Sequence, residues 1–283
     1  MAQWKSQAIT PYITRRQKLA KVYIFLYMGS MDTHKQTKIN KLLQIQPAGT
    51  VYLTAALEKK GFSRDLQKGY KRSGWFESIG PGAMTRSGDS VDWLGGLYAL
   101  QKQAGLNVHV GARTALGLQG QAHYLELNAK TAQLFAPHKV GLPAWFRNHD
   151  WGLKPELHST DFLPTSLGLV DVDYKLFSVK SSGAARALME CLYLAPEKFD
   201  LVEAYQIMEG MGTLRPAIVQ QLLEQCNSVK VKRLFLYMAE KAGHAWVKHL
   251  DLHKTDLGSG NRSLTPGGAY ISKYQITVPQ ELA

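Results

Sequence analysis

The spacing of apolar positions divides the chain into a short helical head and a longer mixed body. From Lys35 to Gln44, Ile39, Leu42 and Leu43 recur at helical spacing, and Pro47-Ala48-Gly49 stops the pattern. Thr50 opens a second helical segment with an apolar stripe of Leu53, Ala56 and Leu57. It closes on Lys59-Lys60-Gly61, basic residues and a glycine that suit a helix C-terminus. Ser63 can cap a third helix, Arg64 to Ser73, in which only Leu66 and Tyr70 are substantially apolar. Trp75 to Ile79 then reads as a strand, Gly80-Pro81-Gly82 as a turn, and Ala83 to Arg86 as the returning strand. Helix, helix, basic helix and hairpin, in that order, predict a winged helix-turn-helix.

Beyond the hairpin the periodicity alternates. Trp93, Leu94, Leu97, Tyr98 and Leu100 predict a helix, Val108 to Gly111 a short strand, and Thr114 to Leu118 a helix leading into Gly120 to Leu125. Strands are expected at Thr131–Phe135, Leu169–Val172 and Leu176–Val179. Helices follow at Ala184–Leu194, Leu201–Gly210, Pro216–Glu224 and Val229–Ala242. The fold class is therefore α/β (α+β): an N-terminal winged helix-turn-helix over residues 31–88, then a mixed α/β C-terminal domain over 89–283 without internal repeats. Residues 1–30 form an expected extension, disordered or preceding the true start, because Met31 can itself begin the protein and folded pattern follows it at once.

Charge sharpens this division. Of a net +12, +11 lies in the first 88 residues, where 15 Lys or Arg face only Asp32, Glu58, Asp65 and Glu77. Removing the extension leaves +6 between Met31 and Gly88, concentrated on Arg64, Lys68, Lys71 and Arg72 of the third helix. Such an excess attracts phosphate without specifying sequence. On a recognition helix, Arg64, Gln67 and Lys68 would reach base edges, and Lys71 and Arg72 would meet phosphates.

The near-neutral body offers fewer chemical signals. Cys191 and Cys226 lie in helical apolar stretches without a CxxC partner and read as reduced, packed thiols. No segment approaches the roughly 20 apolar residues of a membrane span, and the expected location is cytoplasmic. His109 and His123 lack a third ligand at metal spacing, which favours packed or hydrogen-bonded histidines; no cofactor is expected. Asp171 and Asp173 share one strand face, so a metal-dependent nuclease or other nucleic-acid-modifying enzyme with a DNA-binding head is the alternative function. The glycines of Leu257 to Arg262 lack the flanking strand and helix of a phosphate loop and read as a surface loop. Lys230, Lys232 and Arg233 open a helix where cations oppose the macrodipole, which suggests a contact with an acidic partner or RNA, the alternative being a solvated helix end.

Several segments together resemble the AbiEi antitoxins of bacterial type IV toxin-antitoxin systems. They are Leu94–Leu100, Val108 to Leu116, Ala122 to Leu125, Phe177 to Ser182 before the helix containing Arg186, Val231 to Tyr237, and Lys273 to Ile276. The resemblance runs from about Lys35 onward. It implies a phage-defence autoregulator whose winged helix binds inverted repeats in double-stranded operator DNA and represses its own operon. The C-terminal domain would counteract a nucleotidyltransferase toxin without a stable complex. Arg64, Gln67, Lys68, Lys71 and Arg72 match the recognition helix by position, with Ser63 at its start and Arg86 at the end of the wing. The antitoxic surface has candidates from charge alone: Lys180, Arg186, Lys230, Lys232, Arg233 and Arg262.

Overall fold

The computed structural model describes residues 37–120 and 130–283, so the expected extension at 1–30, Met31, His123 and nearly all of the strand expected at Gly120 to Leu125 lie outside the described residues. The chain divides into two units, with the boundary between Gln46 and Pro47. The described part of the first contains helix α1, Lys38–Ile45, capped by the Thr37 hydroxyl, which accepts the Asn40 amide at 3.4 Å.

The second unit, from Pro47, opens with β1 (Tyr52–Leu53), α2 (Thr54–Lys59), α3 (Arg64–Arg72), β2 (Phe76–Gly80) and β3 (Ala83–Arg86). These strands pair antiparallel in the order β1-β3-β2. The turn between α2 and α3 depends on Gly61, whose φ of 86° lies in the left-handed region that lets the chain reverse after the helix. Phe76 anchors the hairpin to the helices by packing edge-on against Tyr52 and near Tyr70. The fold thus matches the predicted helix-turn-helix and hairpin and adds β1, too short for an alternating pattern to reveal.

Helix α4 (Trp93–Lys102) joins this small sheet to the body. Asp92 caps it by accepting the Leu94 and Gly95 amides at 3.0 and 3.2 Å. Two glutamines at its far end then act as substitute strand partners. Gln101 accepts the Lys180 amide and donates to the carbonyls of Val108 and Lys180, whereas Gln103 accepts the Leu53 amide and donates to the Val51 carbonyl. Each amide side chain satisfies backbone groups that would otherwise be left unpaired where two elements meet.

The body is built on a five-stranded mixed sheet, ordered β6-β5-β4-β8-β7. Its strands are β4 (His109–Val110), β5 (Thr131–Ala136), β6 (Lys154–Ser159), β7 (Leu169–Tyr174) and β8 (Phe177–Ser182). Pairing is parallel between β4 and β8 and between β5 and β6, antiparallel elsewhere. The helices are α5 (Ala112–Leu118), α6 (Ala144–Asn148), α7 (Ala184–Leu194), α8 (Leu201–Glu209), α9 (Pro216–Gln225) and α10 (Val229–Lys241). A small sheet of β9 (Arg262–Ser263), β10 (Ala269–Ile271) and β11 (Ile276–Val278) follows. Nearly every side chain of α7 is buried, so it runs through the core rather than along the surface. Val51, Leu53 and Ala83 of the head belong to the same continuous core as Leu97, Val110, Leu188 and Phe235.

At the centre of that core stands the carboxylate of Glu190 on α7, fully buried. It accepts from Arg186 Nε and His109 Nε2 at 2.9 Å, from the Ser182 hydroxyl at 2.7 Å, and from the Ala112 amide at 2.9 Å. Burial alone would raise its pKa, but His109, Arg186 and the Ala112 amide outweigh that effect and hold it below the ordinary value. Gly111 is required beside it: a Cβ there would lie 2.5 Å from Glu190 Oε2 and 2.3 Å from the Phe135 ring. A carboxyl with a lowered folded pKa contributes stability that is complete above its unfolded value and is lost as pH falls through the folded one. We expect urea unfolding of the wild type to lose stability as pH falls below about 4.5. Glu190→Gln should cost about 3 kcal/mol or more at neutral pH by leaving Arg186 without its counter-charge, and should show a smaller acid loss. Equal neutral-pH stability of the two proteins would remove Glu190 from this role.

Candidate nucleic-acid interface

Helix α3 turns one face inward and one outward, as an amphipathic helix with few apolar residues must. Leu66, Gln67 and Tyr70 face the head, while Arg64, Lys68, Lys71 and Arg72 recur at helical spacing and are exposed. Ser63 begins the helix by accepting the Leu66 amide on its hydroxyl at 3.3 Å. Arg64, with 72% of its side chain exposed, pairs with Glu58 at 2.7 Å, and Lys68 approaches Asp65 at 3.4 Å. Such exposed pairs are weak, so both cations can exchange these partners for phosphate or a base edge.

Gln67 departs from expectation. It is 3% exposed, and its amide donates to the carbonyls of Phe62 at 2.8 Å and Thr54 at 3.3 Å. The side chain predicted at a base edge instead braces the helix-turn-helix from within. Arg86, placed by the sequence at the end of the wing, donates to the Tyr52 hydroxyl at 3.2 Å. The wing turn itself lies against the body: a Cβ on Gly80 would sit 2.8 Å from Trp145 Cβ. Beside that contact, Leu53, Pro81, Leu100, Leu142 and Trp145 line an open groove of about 730 Å³ that Arg64 also borders.

Of the six cations expected on an antitoxic surface, Arg186, Lys232 and Arg233 are buried and Lys230 is half-buried. Arg186 is 4% exposed; besides Glu190, it donates at 2.6 Å to the carbonyls of Pro164 and Leu167. Arg233 is 2% exposed and clamps the loop at Leu257 to Gly260 through the carbonyls of Leu257, Gly258 and Gly260, reaching Gln275 as well. Lys230 donates to the carbonyls of Tyr193 and Ala195 at 2.8 and 2.6 Å, and burial lowers its pKa. Lys232 is 4% exposed. The cost of placing cations at the start of α10 thus serves packing: Lys230 and Arg233 gather carbonyl oxygens that would otherwise lack these donors. Lys180 and Arg262 remain outward, Lys180 paired with Asp171 across β7 and β8 at 2.7 Å.

The other chemical candidates disperse. His109 is held by Glu190, and among the described residues no group of three His, Cys, Asp or Glu side chains is placed to hold a metal. Burial raises the thiol pKa of both Cys191 and Cys226. No helix among the described residues is long and apolar enough to cross a membrane. Sequence reasoning missed Gln101, Gln103 and Glu190. Only Glu190 carried a signal, as a lone carboxylate with Arg186 one turn earlier in an apolar helix. It also passed over Trp75, 48% exposed between α3 and β2, although Trp93, Trp145, Trp151 and Trp246 are all buried.

The architecture is that of a winged-helix module fused to an α/β body. Residues 35–127 match the family model described as "Transcriptional regulator, AbiEi antitoxin N-terminal domain". Residues 129–279 match that of "Transcriptional regulator, AbiEi antitoxin, Type IV TA system". The chain belongs to the AbiEi antitoxin family, a family of transcriptional regulators in type IV toxin-antitoxin systems. Its fold is similar to the crystal structure of the RV2827C protein from Mycobacterium tuberculosis, with a TM-score of 0.54 and 14% identity, over 84% of this chain and 88% of that one. No significant match is found among curated proteins.

The burial of Gln67 separates two roles experimentally. Gln67→Ala should lower stability by about 1–2 kcal/mol in urea unfolding, because the Phe62 and Thr54 carbonyls lose their donor. Unchanged stability, together with altered preference among DNA sequences, would restore Gln67 to the groove.

Proposed function

We propose that this antitoxin represses its own operon by laying α3 in the major groove of inverted repeats in double-stranded operator DNA. The carrying observation is the exposed row Arg64, Lys68, Lys71 and Arg72 on the third helix of a winged-helix order. Arg64 stands at the helix N-terminus, the part of a recognition helix that enters the groove, and Lys68 follows one turn on. Lys71 and Arg72 lie at the C-terminal end, where they can hold phosphates and fix the register. The head, residues 31–88, reads DNA; the body, residues 89–283, is the antitoxin domain that opposes a nucleotidyltransferase toxin in the cytoplasm without forming a stable complex with it. The family's role as a regulator supports a non-enzymatic reading that needs no cofactor. With four of the charge-selected candidates occupied inside the body, Lys180 and Arg262 are the cations left to its surface role.

Binding of the full chain to its own upstream duplex, compared with scrambled DNA across a salt series, tests this. We expect preference for the repeat. Lys71→Ala and Arg72→Ala should each weaken all duplexes and reduce the salt slope by about one, whereas Arg64→Ala should narrow the gap between operator and scrambled DNA. Equal wild-type affinity for both duplexes overturns operator recognition. A stable complex with the toxin in size-exclusion chromatography overturns the separate-action part.

A further inference from the structure

We propose that Trp75 is the wing's contact with duplex DNA, its indole packed on the sugar-phosphate edge next to the phosphates met by Lys71 and Arg72. The inference rests on reading α3 as the recognition helix and extends that reading to a residue outside it. Trp75 is 48% exposed, three residues past the end of α3 and immediately before β2. Its backbone is fixed on both sides: its amide donates to the Tyr70 carbonyl at 3.0 Å, and its carbonyl accepts the Ser87 amide at 3.0 Å. A large apolar surface is therefore held partly in water on a fixed backbone, three and four residues after the exposed cations Arg72 and Lys71.

Other parts of the hairpin offer less apolar surface. Gly80, at the end of β2, lies against Trp145 of the body, Arg86 is directed to the Tyr52 hydroxyl, and the exposed turn carries only Pro81 and Gly82. Glu77, exposed two residues further along β2 and so on the same strand face as Trp75, carries a charge that phosphate repels. Trp75, at the base of the hairpin, is its exposed aromatic side chain, Phe76 being buried. An indole suits that place: its ring covers the apolar face of a deoxyribose while its N–H can donate to a phosphate oxygen. Being uncharged, it displaces no counterion and reads no base, so its contribution should be independent of salt and of sequence.

Fluorescence anisotropy with labelled operator and scrambled duplexes, using the full chain, separates this from the wider reading. Trp75→Ala should weaken both duplexes equally, on the order of tenfold. The salt slope and the operator-to-scrambled ratio should stay at wild-type values, and Trp75→Phe should recover most of the affinity. Lys71→Ala, in contrast, should flatten the slope. If the wild type shows no preference for the repeat but Trp75→Ala still weakens duplex binding at constant slope, operator recognition fails and the Trp75 contact stands. Unchanged affinity of Trp75→Ala for a duplex that the wild type binds overturns the contact, as does a change confined to the operator. Thermal unfolding should place Trp75→Ala beside the wild type. Should it be destabilised, Trp75→Gln, which keeps a polar group at the exposed site, supplies the affinity comparison, with the same outcomes deciding.

Discussion

A carboxylate with no access to water can be kept ionised only if protein donors replace its hydration shell, and Glu190 meets that demand from four places at once. Arg186 lies one turn earlier on its own helix, His109 on β4, Ser182 at the end of β8 and Ala112 at the start of α5. Because releasing any donor would strand charge in the core, the parallel meeting of β4 with β8 and the entry of α5 are tied to one point. The local backbone conforms to it: Gly111 has no room for a side chain, and Ala112 adopts a left-handed φ of 46°.

From that point the constraint spreads toward the head. The Val108 and Lys180 carbonyls, on the segments leading into β4 and along β8, receive Gln101. Gln101 fixes the end of α4, and α4 ends on Gln103, which takes both the donor and the acceptor offered by β1. Strand β1 pairs with β3, and β3 with β2. The sheet behind α3 is thus referenced, through side-chain amides, to a buried charge in the body. A shared apolar core reinforces the same linkage, with Val51 and Leu53 packed in one cluster with Leu97 and Leu100. Helix α3 is consequently held in place by the body as well as by the head.

The sequence made the elements legible where their periodicity was strong. The helices from Ala184 onward, the hairpin after Trp75 and the third helix of the head all lie close to their expected positions. Strand β6 was missed because Lys154, Pro155 and Glu156 break any apolar alternation, although the strand pairs with β5 along its whole length. The candidate site was legible in its charges but not in its burial. Arg72 and Arg233 are alike as letters, yet one is exposed and the other is surrounded by carbonyls contributed from 24 to 42 residues further along the chain. Gln67 looked outward because it is polar; its amide was needed by the turn it follows.

The same distinction changes what the chain's charge means. Net charge counts every cation, but only those in contact with solvent shape the field that a polyanion meets. In the head, Arg64, Lys68, Lys71 and Arg72 are exposed together on one helix, so formal charge there approximates available charge. In the body, Arg186 and Arg233 are enclosed, and Lys180 is matched by Asp171. Arg186 is offset by the equally buried Glu190, so burial withdraws only Lys232 and Arg233 without a buried counter-charge, and the body's surface stays close to neutral. The two regions thus differ chiefly in where their cations stand, four of them exposed together on one helix of the head.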